Sequence, residues 1–224
     1  MTGDKLAEIF EDYLKRGDGY ILGLNNEIYT AERAERLKKQ NAAYYARGDK
    51  WIGRRCSDCS GAIVGAMRTE NPNYGDRRAD TFAAQFAGGK QPIATIPDVR
   101  GVAVWKSGHI GVYVGNCLVI EFRGIDYGCV KTALHSRPWT HWGYVAGVNY
   151  DAPMQSYPRQ MAVCTKKDPL NLRQSAKTGS IAAKMPKSAA VWAMRESGGW
   201  CECVYYSADN DKYYGGYASK EYLK

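Results

Sequence analysis

The chain has 224 residues, a hydrophobic fraction of 45% and a formal charge of +8, a length that allows one mid-sized domain plus a small one. No run approaches the ~18 apolar residues of a membrane span, so no membrane insertion is expected. Residues 158–224 carry +5 of the charge; such a basic surface attracts polyanions, but without a dense Lys/Arg block or motif for nucleic acid, no nucleic-acid partner is expected.

Leu6, Ile9, Phe10, Tyr13 and Leu14 recur at helical spacing and Gly17 follows as a stop, which predicts a short amphipathic helix. Gly17 to Asn26 reads as a loop carrying Tyr20. Thr30 is an N-cap signal for a second helix running through Leu37 to Tyr45, with Glu32 in its first turn and Gly48 as its end. Trp51 to Asp58 reads as irregular. From Cys59, the spacing of Ala62, Ile63, Ala66 and Met67 is helical again, and Thr81 to Phe86 predicts one further short turn.

Beyond Pro97 the pattern becomes β. Val102–Trp105, His109–Val114, Leu118–Phe122 and Gly143–Val148 predict strands, with Gly115-Asn116 as a hairpin turn. Helices followed by an antiparallel sheet make an α+β class. Asp151 to Tyr157, with Pro153 and then Pro158, reads as a linker between residues 1–157 and 158–224. After it come Met161–Thr165, Leu170–Arg173, Ala189–Arg195, Trp200–Tyr206 and Tyr213–Ala218, short β-prone pieces that suggest a small barrel. Tyr205, Tyr206, Tyr213 and Tyr214 fit either its core or a binding groove.

Seven cysteines, odd in number and scattered, fit a reducing compartment better than a disulfide framework. The polar start Met1-Thr2-Gly3-Asp4-Lys5 lacks the basic and apolar regions of a secretory signal. Either a signal has been removed, or the protein is made in a cytoplasm and leaves by another route.

Cys56-Ser57-Asp58-Cys59-Ser60-Gly61 sits where a loop turns into a helix. Three readings compete: a redox pair, half of a zinc site, or a thiolate nucleophile. Zinc needs about four ligands at closed spacings, and the other cysteines and the three histidines do not supply a recognisable set. A redox motif of this spacing belongs after a strand, whereas helices precede this one. The nucleophile reading has a mechanism: N–H groups at a helix start lower a thiol's pKa and hold an oxyanion.

His109 is the base that reading requires. A lone strand histidine is most often structural, but this one stands between Gly108 and a strand face shared with Gly111 and Tyr113. Glu121, charged and central in an apolar strand, wants a partner. It can orient His109 across a short hairpin, or pair with Arg123.

Asp58-Cys59-Ser60-Gly61 followed some 50 residues later by His109-Ile110-Gly111-Val112-Tyr113-Val114-Gly115-Asn116 resembles the NlpC/P60 cysteine peptidases. The resemblance covers most of residues 17–149. It implies a papain-like fold and cleavage of peptidoglycan stem peptides, typically between D-γ-glutamate and a diamino acid, with no metal and no cofactor. It makes Cys59 the nucleophile and His109 the base, and puts Glu121 where many members have His. It places Tyr20, in Gly19-Tyr20-Ile21-Leu22-Gly23, beside the nucleophile as a substrate-binding residue, with Asp58 and Ser60 flanking the sulfur. Glu121-Phe122-Arg123-Gly124 and Arg137-Pro138-Trp139-Thr140-His141-Trp142-Gly143 look like endolysins of phages or prophages, which implies action at the wall after release from the bacterial cytoplasm. Leu170-Asn171-Leu172-Arg173, Gly198-Gly199-Trp200 and Gly216 to Leu223 resemble a bacterial SH3 domain, a module that commonly binds cell-wall peptide. The rival activities are an N-acetylmuramoyl-L-alanine amidase of related fold and a non-catalytic wall-binding protein.

Overall fold

The computed structural model describes residues 1–150, 158–166 and 169–224. The expected linker lies outside the described residues. The chain forms two compact units, Met1–Val114 with Leu118–Asp151, and Gly115–Cys117 with Ala152–Lys224.

Helix α1 (Gly3–Arg16) begins where the Thr2 hydroxyl accepts from the Lys5 amide and ends at Gly17, whose φ of +68° suits glycine. Its buried stripe of Leu6, Phe10 and Tyr13 packs on the first unit's core, with Phe10 and Tyr13 edge-on to Phe122. Full burial of each such side chain stabilises by about 1.5–3 kcal/mol. The Gly17–Asn26 loop holds a two-residue strand, β1 (Gly19–Tyr20), and the start of β2 (Asn25–Ile28). Both pair with β3 (Arg55–Ser57), in a stretch expected to be irregular.

The expected second helix is two helices. α2 (Ala31–Lys38) is capped by Thr30 as expected, but Asn41 starts a new helix, α3 (Ala42–Ala46), by accepting from the Tyr44 amide. A side chain that competes for backbone donors ends one helix and caps the next. α4 (Gly61–Met67) is buried along its whole length. α5 (Ala79–Ala84) lies slightly ahead of its expected place.

The main sheet of this unit has the order β4-β9-β5-β6-β7-β8. Its strands are β4 (Ala87–Pro92), β5 (Ala103–Lys106), β6 (His109–Gly115), β7 (Leu118–Phe122), β8 (Cys129–Ala133) and β9 (His141–Tyr144). β4 and β8 escaped the sequence reading: β4 is wholly exposed and Gly-rich, and β8 has little alternation. Ser107-Gly108 turns β5 into β6, Gly108 taking a φ of +71°. Asp80 of α5 clasps that turn, accepting from the Gly108 amide at 2.8 Å and the Trp105 indole at 3.0 Å. His109 is thereby fixed as the first residue of β6.

The second unit carries a sheet of order β10-β13-β14-β15-β11-β12. The strands are β10 (Arg159–Ala162), β11 (Leu170–Arg173), β12 (Ile181–Met185), β13 (Ala190–Ser197), β14 (Trp200–Ser207) and β15 (Lys212–Ser219). Among the described residues the strand pairs do not close it into the expected barrel. Tyr205 is core and Tyr214 packs partly against it, while Tyr206 and Tyr213 stand exposed with ring centroids 5.0 Å apart. The cysteine reading also needs correction. Cys117 and Cys164 form a disulfide, which scattered spacing could not reveal because pairing depends on folded geometry. The other five cysteines are buried and form no disulfide. No helix of the described residues is long and apolar enough to cross a membrane.

α4 reaches its place because two glycines, Gly61 and Gly65, face the Leu24–Asn26 backbone. A Cβ on Gly61 would lie 2.1 Å from the Leu24 carbonyl oxygen, and one on Gly65 2.6 Å from Asn26 Cβ. Gly61→Ala should therefore destabilise by about 1–3 kcal/mol, the usual cost of overpacking. At roughly 2–4 °C per kcal/mol for a chain this long, thermal unfolding will show it. An unchanged melting temperature would mean that this close approach is not a constraint.

Candidate active site

Cys59 precedes α4, and the turn that presents it is built by Asp58. The Asp58 Oδ1 atom accepts from the Gly61 amide at 2.7 Å and from the Ser60 amide and hydroxyl at 3.1 Å. Its Oδ2 atom accepts from the Gly23 amide at 2.8 Å, which ties the Tyr20 loop to the start of α4. Asp58 thus serves as the helix cap.

This arrangement corrects the expectation of a thiolate. Burial, and after it the neighbouring Asp58 carboxylate, push the Cys59 thiol up to about 11. The backbone amides of Ile110, Ser60 and Cys59 near the sulfur act in the lowering direction but do not outweigh burial. The seven-residue α4 supplies little dipole, and Asp58 cancels much of it. At neutral pH these surroundings favour the thiol over the thiolate. The expected use of the helix-start amides for an oxyanion narrows as well, since those of Ser60 and Gly61 already bond Asp58.

The Ile110 amide at the Cys59 sulfur brings that sulfur to the strand that begins with His109. The His109 Nε2 atom lies 2.7 Å from Glu121 Oε2 on β7. An ionised carboxylate only accepts, so Nε2 carries the hydrogen and Nδ1 is left as the basic nitrogen. Gly111 makes the approach possible: a Cβ there would lie 2.9 Å from Val119 Cγ1 and 3.3 Å from Glu121 Cβ.

Glu121 is completely buried. Burial would raise its pKa, but hydrogen bonds from His109, Arg137 and Thr132 together hold the carboxyl below its ordinary range. Arg137 forks onto it with Nε 2.9 Å from Oε1 and Nη2 3.1 Å from Oε2, and the Thr132 hydroxyl donates to Oε1 at 2.9 Å. The alternative pairing with Arg123 does not occur; that guanidinium lies over the Tyr127 ring. The His109 ring stacks on Trp139, with planes 9° apart and centroids separated by 5.4 Å. Thr132, Arg137 and Trp139 were not singled out as site residues from sequence. Arg137-Pro138-Trp139 was legible only as part of a family-like stretch, because nothing local says that its side chains turn toward Glu121.

Tyr20, at the end of β1, lies beside the sulfur. Burial, then the proximity of Cys59 and Asp58, raises its hydroxyl far above its usual range, so it remains a donor. Tyr20, Asp58, Cys59 and Ser60 line a cleft of about 610 Å³, together with Leu22, Gly108 and the 76–80 segment. Cys56 takes no part: it is fully buried and packs with Ile21, Leu24 and Tyr45, a core cluster separate from that of Cys59. Among the described residues, no three His, Cys, Asp or Glu side chains gather as a metal-holding group.

A raised thiol pKa gives a direct test. Alkylation of Cys59 by iodoacetamide, corrected with Cys59→Ala, should keep accelerating from pH 7 to pH 10, because the thiolate fraction keeps growing below a pKa of about 11. A rate that levels off by pH 7 would mean a preformed thiolate.

No family model matches the chain, and no curated protein matches it. Among solved structures, it is similar to the peptidoglycan hydrolase RipB from Mycobacterium tuberculosis at 15% identity, over 63% of this chain and 81% of that one, with a TM-score of 0.33. It is similar to Ly7917 at 14% identity, over 100% of this chain and 97% of that one, again at 0.33. The resuscitation promoting factor interacting protein RipA is similar at 18% identity, over 63% and 84%, at 0.28. Scores this low do not establish a shared fold; the chemistry is carried by the residues of the site itself.

Proposed function

We propose that this chain is a cysteine peptidase of the NlpC/P60 type that hydrolyses amide bonds in peptidoglycan stem peptides, with D-γ-glutamyl-diamino acid as the bond cut. The observation that carries the reading is the hydrogen-bonded series from Glu121 to His109, with Cys59 held against the adjacent Ile110 amide. A buried carboxylate orients an imidazole whose other nitrogen is free to act as a base, next to a sulfur that opens onto a cleft.

Cys59 attacks as a thiol that gives up its proton. His109 Nδ1 takes that proton as sulfur bonds to the amide carbon, and the carbonyl oxygen becomes the oxyanion. The Cys59 amide and the Tyr20 hydroxyl are the donors we assign to it, since the next two amides are occupied by Asp58. The imidazolium, steadied by Glu121, then protonates the leaving amine as the C–N bond breaks. Water, deprotonated by His109, attacks the thioester and releases the acid and the thiol. Tyr20, Asp58 and Ser60 line the cleft and are assigned to substrate contact. No metal or organic cofactor enters these steps.

We assign residues 158–224 to an SH3-like module that holds the enzyme on the cell wall. Its +5 charge suits an anionic polymer, and Tyr206 and Tyr213 offer exposed aromatic surface. The reading includes endolysin-type action, with synthesis in a bacterial cytoplasm and activity at the wall after release.

Digestion of purified peptidoglycan followed by mass spectrometry of the muropeptides tests the whole reading. Stem fragments that begin at the diamino acid are expected, and Cys59→Ala should release none while unfolding at the wild-type temperature. Intact free stems would mean an N-acetylmuramoyl-L-alanine amidase. No release by the wild-type chain would leave a non-catalytic wall-binding protein.

A further inference from the structure

The four hydrogen bonds to Glu121 are divided evenly. Oε1 accepts from Arg137 Nε and the Thr132 hydroxyl, and Oε2 accepts from Arg137 Nη2 and His109 Nε2. The carboxylate is saturated and cannot rotate without breaking the Arg137 fork. Arg137 itself is mostly buried, with 20% of its side chain exposed.

We propose that Arg137 is a positioning residue for the reaction: its guanidinium fork fixes the charge and plane of Glu121 and thereby sets the proton affinity of His109. This inference rests on the cysteine-peptidase reading and deepens it. A bare carboxylate at 2.7 Å in a buried site would stabilise the imidazolium strongly. His109 would then hold a proton at rest and could not accept one from Cys59. Arg137 brings the carboxylate to near neutrality while leaving Oε2 able to accept from Nε2. Glu121 can therefore orient the ring while its charge is shared with Arg137. Lysine would supply the charge but not the planar fork.

The other groups around the pair do not duplicate this. Facing His109 and Glu121 are the neutral Thr132 hydroxyl on β8 and the Trp139 ring before β9, while the Cys59 thiol lies at the Ile110 amide, next along β6. Lys106 on β5 is the cross-strand neighbour of His109. None of these donates to Glu121 as a cation, and Arg137 does so at both oxygens.

The test uses the full chain as wild type, Arg137→Gln and Arg137→Lys. The His109 titration is followed by NMR of the ring protons, which is tractable with three histidines. The pH profile of kcat/KM is measured on a soluble stem peptide. In Arg137→Gln the His109 pKa and the acidic limb of the profile should both move up by about one pH unit or more, with kcat falling and KM little changed. Below the limb, each unit costs about tenfold in rate. Arg137→Lys should keep the limb near its wild-type position and recover only part of kcat. A His109 titration in Arg137→Gln that stays at the wild-type position, with or without lower stability, overturns the proposal and leaves Arg137 as structural support. If Arg137→Gln does not fold, Arg137→Lys decides: a displaced His109 titration overturns the proposal, and an undisplaced one with reduced kcat supports it. The NMR readout is independent of turnover, so an inactive wild-type chain would count against the peptidase reading and not against the link from Arg137 to His109.

Discussion

A carboxylate with no solvent exposure is costly to bury, and the Glu121 side of the first unit is arranged around satisfying it. Moving an ion of this kind out of water costs several kcal/mol even after relaxation. Glu121 recovers that cost through four hydrogen bonds from three donors on separate parts of the chain. β6 brings His109, β8 brings Thr132, and the segment before β9 brings Arg137. Removing any one donor would leave a buried acceptor short of a partner, the expensive half of a hydrogen-bond account. The network therefore links the order of the sheet to the orientation of one imidazole.

Asp58 solves a second problem with the opposite charge logic. A carboxylate beside a cysteine sulfur discourages the thiolate, and here it adds to burial in raising the Cys59 pKa. The gain is geometric. Asp58 caps α4 and at the same time bonds the Gly23 amide, so one side chain fixes both the turn that carries Cys59 and the Tyr20 loop. The close approach of Gly61 to the Leu24 carbonyl belongs to the same arrangement. Exact placement of the sulfur is obtained in exchange for its resting ionisation.

How much of this was legible in sequence follows from how far apart the partners lie along the chain. His109 and Glu121 are twelve residues apart across one hairpin, and strand alternation puts them within reach. Their pairing could be inferred, and the spacing of Arg123, two residues along the same strand, already made it an awkward close partner for Glu121. Cys59 stood out through its small neighbours at a helix start. Arg137 and Trp139 had no such signal, because only the path of the chain from β8 to β9 turns them inward. Strands β1, β2 and β3 are two to four residues long and carry almost no periodicity. The break between α2 and α3 came from Asn41 capping in mid-pattern, where helical spacing on either side suggested continuity. The thiol's pKa was misjudged for a related reason: a helix-start rule speaks of dipoles, while burial and a neighbouring carboxylate decide this case.

A protonated nucleophile places the burden of reactivity on the base. In the proposed reaction, with Cys59 attacking as a thiol, attack and proton transfer are coupled, so turnover depends on His109 being neutral and correctly turned when substrate arrives. Trp139 limits the ring's tilt by stacking, and Glu121 limits its rotation through Nε2. Both constraints act on the imidazole and neither touches the sulfur. A free thiol that ionises only during attack is also less exposed to adventitious oxidation than a standing thiolate, since oxidation follows thiolate character. The balance between a stable resting site and a competent one is thus set at Glu121, by how much of its charge is shared with Arg137 and how much is left for His109.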